Sequence, residues 1–124
     1  MSENKKILII EDDVETQASL KMIFEEQNLI VITADDGEIG VKVAETEKPD
    51  LILMDVVMSK MNGYSCLKEI RKNSKIKDTP VLILSGKEKD KLEDLFAFHK
   101  ISGYFEKPYK IDNLVAKVKE ILKI

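Results

Sequence analysis

The stretch LILMDVV, residues 51–57, holds a single charge, Asp55, in an otherwise apolar run. Pro49 and Asp50 precede it and Asn62-Gly63 follow, so the run is short and bounded by turn residues. That is the pattern of a strand covered on both faces. An ionised carboxylate in such a strand is costly unless something compensates its charge. The position of Asp55 therefore asks for a partner, and the rest of the chain shows where one could come from.

A chain of 124 residues has the length of one ordinary domain with a single core, and residues 1–124 are expected to form one. Hydrophobic content of 44% with 35% charged residues describes a well-solvated globular protein. Twenty Lys and Arg against 23 Asp and Glu leave a net charge of −3, so no strong field draws the chain to nucleic acid or to an anionic membrane. Neither is expected as a partner. No signal-like apolar region follows a charged N-terminus, and no apolar stretch approaches the length of a membrane span. Cys66 is the only cysteine, which excludes an internal disulfide and suits a reducing compartment. A cytoplasmic location is the expectation.

Outward from residue 51, apolar runs alternate with helix-period segments. The runs are KKILII (5–10), LIVIT (29–33), DLILMD (50–55), PVLILS (80–85) and SGYFEK (102–107). Between them, VETQASLKMIFEEQN (14–28) places Ala18, Leu20, Met22, Ile23 and Phe24 on a broad apolar side. GEIGVKVAETEK (37–48), GYSCLKEIRKN (63–73) and EKDKLEDLFAFHK (88–100) have the same character, and the tail repeats Leu114, Val115, Val118, Ile121 and Leu122 at helical spacing. Strands separated by helices of this length make βαβ units, hence a parallel sheet with helices on both faces. The prediction is an α/β fold, a doubly wound (βα)5 domain around a five-stranded parallel sheet. No linker, repeat or low-complexity tract marks a second domain.

In open parallel sheets ligands sit beyond the carboxyl ends of the strands. Those ends carry Glu11-Asp12-Asp13 after the first strand, Asp55 on the third, Ser85-Gly86 on the fourth and Lys107-Pro108 on the fifth. Each signal alone has a plain structural reading. An acidic triplet after a strand is commonly a helix cap with favourable first-turn charges, a serine there is commonly a cap, and a lysine before proline is commonly a solvated loop residue. Their convergence on one edge favours function, because clustered like charges destabilise a fold unless a cation neutralises them.

The residue types then specify chemistry. Carboxylates suit a hard cation, and Mg2+ commonly takes one or two of them together with phosphate oxygens. A carboxylate can also attack phosphorus and form an aspartyl-phosphate. Phosphoryl transfer is catalysed mainly by positioning and by neutralising the equatorial oxygens. Asp55 would be the nucleophile, Asp12 a metal ligand, Lys107 a second cation and Ser85 a hydroxyl donor.

With KILIIEDD, DLILMDVVMSKMNG, VLILSG and YFEKPY in place, the whole chain resembles the receiver domain of two-component response regulators. In size it is similar to the stand-alone chemotaxis and phosphorelay regulators. The resemblance implies a flavodoxin-like fold with strand order 2-1-3-4-5. It implies Glu11 and Asp12 as the acidic pair, with Asp13 belonging to the start of the first helix. It further implies Asp55 as phosphoacceptor, Mg2+ held by Glu11, Asp12, Asp55 and the backbone carbonyl of Val57, and a cis bond before Pro108. Ser85 and Tyr104 would form a switch, and Lys107 would complete the acceptor site.

By the same resemblance, a sensor histidine kinase or phosphotransfer domain would donate the phosphoryl group. The signal would leave to a protein target through the face made by the fourth helix, the fifth strand and the fifth helix. Such a domain phosphorylates and dephosphorylates itself and is not a turnover enzyme. Positions two beyond the acceptor and two beyond the hydroxyl residue, here Val57 and Lys87, flank the path of water to the phosphorus. Val57 cannot orient a water, so slow self-dephosphorylation is expected.

Three positions depart from the family pattern. Ser59 stands where proline is usual, Asn28 where glycine often follows the first helix, and Lys100 where glycine is usual; asparagine also tolerates the left-handed conformation. Two other classes fit less well. An aspartate-nucleophile phosphohydrolase would carry its nucleophile on the first strand with a second acid two residues on. A flavodoxin-type nucleotide binder would need a Ser/Thr/Gly-rich phosphate loop where this chain has EDDVET. His99, without a second histidine, reads as a helix C-terminal residue complementing the dipole, Cys66 as packing or surface, and Met54 as core.

Overall fold

In a computed structural model of the protein, residues 4–56, 62–86 and 100–124 are described. Five strands, β1 (Lys6–Ile10), β2 (Ile30–Ala34), β3 (Leu51–Asp55), β4 (Val81–Ser85) and β5 (Gly103–Glu106), form one sheet in the order β2-β1-β3-β4-β5. All neighbouring pairs are parallel. The described helices are α1 (Val14–Glu25), α2 (Gly37–Glu47), α3 (Gly63–Lys72) and α4 (Ile111–Leu122). The fold is the expected doubly wound, flavodoxin-like arrangement. The helix expected over 88–100 lies outside the described residues, save for Lys100.

Alternation along the buried strands divides the core into two layers. Leu8, Ile10, Ile52, Met54, Val81 and Ile83 pack against α2 and α3 through Ala44, Cys66, Leu67 and Ile70. Ile7, Ile9, Leu51, Leu53, Leu82 and Leu84 pack on the other face against Leu20 and Phe24 of α1 and Leu114, Val118 and Leu122 of α4. Met54 is core, as expected, and Cys66 is packing: fully buried, its thiol lies 3.6 Å from the Gly37 carbonyl and burial pushes its pKa up to about 12. In α1 the apolar side is narrower than the composition implied. Leu20 and Phe24, one turn apart, face the sheet, whereas Met22 lies about 200° round the helix from Leu20 and is 62% exposed.

Polar residues punctuate these elements. Asp13, Asp36 and Asn62 cap α1, α2 and α3, accepting from the backbone N–H groups of Thr16, Ile39 and Ser65. Asn28 does adopt the left-handed conformation after α1 (φ 65°). At the far end of α3, the Arg71 guanidinium donates to the carbonyls of Lys100 (2.7 and 3.1 Å), Thr79 (2.8 Å) and Lys77 (3.0 Å), fixing the approach to β4 and β5. No described helix is long and apolar enough to cross a membrane.

Candidate functional site

Strand register brings the chemistry to one edge. Ile10 pairs with Met54, so Glu11, one step on, falls level with Asp55; Asp55 pairs with Leu84, and Ser85 with Glu106. The backbone N–H of Lys107 then donates to the Ser85 carbonyl at 2.6 Å, holding the exits of β4 and β5 together ahead of the cis Lys107–Pro108 bond.

Glu11, Asp12 and Asp55 each offer a carboxylate oxygen, and these three atoms lie within 4.8 Å of one another. Glu11 is 2% exposed and Asp55 7%. Lys107 reaches across from β5: its Nζ lies 3.1 Å from Asp55 Oδ2, a hydrogen-bonded ion pair, and 3.7 Å from Glu11 Oε1. Ser85, at the end of the neighbouring strand, is fully buried. Asp13 stands apart as the α1 cap, its carboxyl held low by the hydroxyl and N–H of Thr16. That division matches the expectation of an acidic pair followed by a capping residue.

The electrostatics follow from this crowding. Burial, then the adjacent Asp55 charge, raises the Glu11 carboxyl from 4.5 to about 7, although Lys107 opposes the rise. Burial pulls the Lys107 ammonium down, but its bond to Asp55 and the charges of Asp55 and Glu11 more than reverse that, and its net shift is upward. Among the described residues, the buried Glu11 Oε1 has no hydrogen-bond partner. One lysine is thus shared between two carboxylates, and it reaches the Glu11 oxygen only as a longer ion pair. A hard divalent cation fits this oxygen donor set, and Glu11, Asp12 and Asp55 are the residues that could hold it.

The remaining expected site residues are placed as follows. Tyr104 lies half-buried in β5 beside Ile83, packed on the core layer that contains Met54. Val57, expected to contribute a carbonyl, lies outside the described residues, as do Ser59, Lys87 and His99. Three further residues shape the site. Gly63 opens α3 so close to the acceptor strand that a Cβ there would sit 2.6 Å from Val56 Cα and 2.8 Å from the Asp55 carbonyl oxygen. Its N–H donates to the Val56 carbonyl at 2.8 Å. Gln17 reaches from α1 to the backbone under the acidic turn. Tyr109 stacks edge-on against Phe105, with ring centres 6.1 Å apart, and lines a cavity of about 290 Å³ with Asp13, Thr16 and Ile111. The NG pair had signalled a turn, and a glutamine on a helix carries no signal at all.

Comparison with known proteins gives concordant results. A family profile described as response regulator receiver domain matches residues 7–119. The alkaline phosphatase synthesis transcriptional regulatory protein PhoP of Bacillus subtilis is 36% identical over 127 residues, covering 97% of this chain and 49% of that protein. The chain thus spans about half the length of this relative. The chemotaxis protein CheY4 of Vibrio cholerae superposes with a TM-score of 0.89 at 24% identity, covering 96% of this chain and 99% of that one. The receiver domain of sensor histidine kinase PA1611 from Pseudomonas aeruginosa, solved with a magnesium ion in its active site cleft, gives 0.88 at 24% identity, covering 98% and 100%. At that identity the two structures speak to the fold.

Proposed function

This chain belongs to the response regulator receiver domains, and from that premise we propose that it accepts a phosphoryl group on Asp55 from a histidine kinase or phosphotransfer protein in the cytoplasm. Receiver domains are signalling modules, not turnover enzymes on an external substrate. The observation that carries the assignment to Asp55 is its place: a 7%-exposed carboxylate at a strand end, with an ammonium at 3.1 Å and two more carboxylates alongside.

An oxygen of Asp55 attacks phosphorus in line. The new O–P bond forms as the P–N bond of the phosphohistidine donor breaks, and the leaving imidazole takes a proton from solvent. Glu11, Asp12 and Asp55, with the carbonyl of Val57 that the family resemblance implies, would hold Mg2+, which when bound would supply positive charge to the phosphoryl oxygens. Lys107 moves its hydrogen bond from the Asp55 carboxylate to a phosphoryl oxygen, and Ser85 donates its hydroxyl to another. The inward pull on Ser85 frees space for Tyr104, and the change is read by a protein partner on the face that includes β5 and α4. Residues 1–124 act as one domain in this scheme, and the net charge of −3 favours protein over nucleic acid as the partner.

Incubation with acetyl phosphate and Mg2+, followed by intact-mass measurement and phosphate release, tests the class of function. A stoichiometric gain of one phosphoryl group supports a receiver. Continuous release of phosphate in many-fold excess over protein would mean a hydrolase, and no mass gain would mean a scaffold that has lost the chemistry.

A further inference from the structure

We propose that Gln17 is a positioning residue of the acceptor site: its side-chain amide anchors the peptide that carries Glu11 and Asp12, and so sets the affinity of the acidic cluster for a divalent cation. The inference rests on the reading of that cluster as a Mg2+ site. Gln17 touches none of the three carboxylates through the contacts that define it. Its Nε2 donates to the backbone carbonyl of Glu11 at 2.9 Å, to Asp35 Oδ1 at 3.0 Å and more weakly to the Ala34 carbonyl at 3.3 Å. One amide on α1 therefore ties together the exits of β1 and β2.

The location gives this bond its leverage. β1 ends at Ile10, and the last ladder-type bond runs from the Glu11 N–H to the Ala34 carbonyl at 3.0 Å. Beyond it the Glu11 carbonyl has left the sheet, in a residue only 2% exposed, where an unpaired acceptor would be costly. Gln17 is the donor that meets it. Glu11 and Asp12 are consecutive, so a rotation of the peptide between them swings both side chains at once. Mutual repulsion among three clustered carboxylates pushes the turn toward such a rotation, and the Gln17 amide opposes it. The donor is neutral, so it steadies the turn without competing with a cation for the acids. It also holds the Asp35 carboxylate at the β2 exit.

Isothermal titration of the full chain with MgCl2 tests this, with amide hydrogen exchange at Asp12 and Asp13 as a metal-free readout. Gln17→Leu, which keeps the bulk and removes the donor, is expected to weaken Mg2+ binding by about tenfold, the scale seen when groups supporting metal ligands are removed. Exchange at Asp12 and Asp13 should quicken. Gln17→Arg, which can donate to both carbonyls, should return exchange at Asp12 and Asp13 toward the wild-type rate, while its charge beside the acids keeps Mg2+ affinity below that of wild type. A purely structural cross-link would instead lower the melting temperature of Gln17→Leu and leave the Mg2+ dissociation constant alone, which overturns the proposal, as would unchanged exchange at both amides. Wild-type protein that binds no Mg2+ would count against the metal site itself, and the exchange measurement would still judge Gln17. If Gln17→Leu does not fold, Gln17→Met carries the same comparison.

Discussion

Lys107 Nζ sits 3.1 Å from Asp55 Oδ2, so the buried carboxylate on β3 already has a cation delivered from β5, two strands away in the sheet. The same ammonium is 3.7 Å from Glu11 and belongs to no carboxylate alone. Its removal should separate two roles. Lys107→Ala is expected to bind Mg2+ at least as tightly as wild type, because a competing cation is gone. Phosphorylation by acetyl phosphate at saturating Mg2+ should slow by about a hundredfold, the scale for losing one charge-stabilising donor. Calorimetry and a time course of intact mass measure the two effects.

Glu11 makes the metal-free protein pH-sensitive. Its folded-state value of about 7 stands above the ordinary 4.5. Between those values the folded protein holds a proton that the unfolded chain has released, so the contribution of Glu11 to stability is greatest below pH 4.5 and is lost as pH rises through 7. Asp13, whose carboxyl is held low, titrates below this window and does not mask the trend. Denaturant unfolding without Mg2+ should show the decline, and Glu11→Gln should flatten it while adding on the order of 2 kcal/mol at pH 8. Added Mg2+ should stabilise wild type more at pH 8 than at pH 5.

Gly63 is required by proximity, not by backbone angle. A Cβ 2.6 Å from Val56 Cα meets backbone that cannot swing away, so Gly63→Ala must displace α3 or the peptide after Asp55. A loss of about 2–4 kcal/mol is expected on urea unfolding, the range for overpacking compounded by backbone shifts. Phosphorylation of the surviving folded protein should slow as well. A variant with wild-type stability would show that α3 has more room than the structure gives it.

The switch makes a spectroscopic prediction. Beryllofluoride with Mg2+, a stand-in for the phosphoryl group, should shift NMR signals at Ser85 and Gly86 and also at Tyr104. Tyr104 is half-buried against the core layer at Ile83, so a change of its ring position must move neighbours that report on it. Shifts confined to residues 11–13 and 55–56 would mean that Tyr104 is a fixed strand aromatic.

The fold was legible because the central strands are nearly continuous apolar runs covered on both sides, and α1, α2 and α3 carry ordinary caps. KILII, LILMD and VLILS needed little else. The acid, hydroxyl and ammonium positions were legible for the same reason: a parallel sheet aligns its carboxyl ends. What escaped depends on distance through space. The exposure of Met22 depends on which side of α1 meets the sheet. The contacts of Gln17 depend on β1 and β2 ending side by side. The need for glycine at 63 depends on how near α3 starts to Val56, whereas the NG dipeptide announces only a change of direction.

The assignment of Asp55 is tested most directly by locating the modification. Protein phosphorylated by acetyl phosphate with Mg2+ is reduced with borohydride, which converts an aspartyl-phosphate to homoserine, and the residue is then identified by peptide mass spectrometry. Homoserine at position 55 is predicted, with none there or elsewhere in Asp55→Asn. Homoserine at Asp12 or another acid in the wild type, or an undiminished phosphoryl gain by Asp55→Asn, would contradict it.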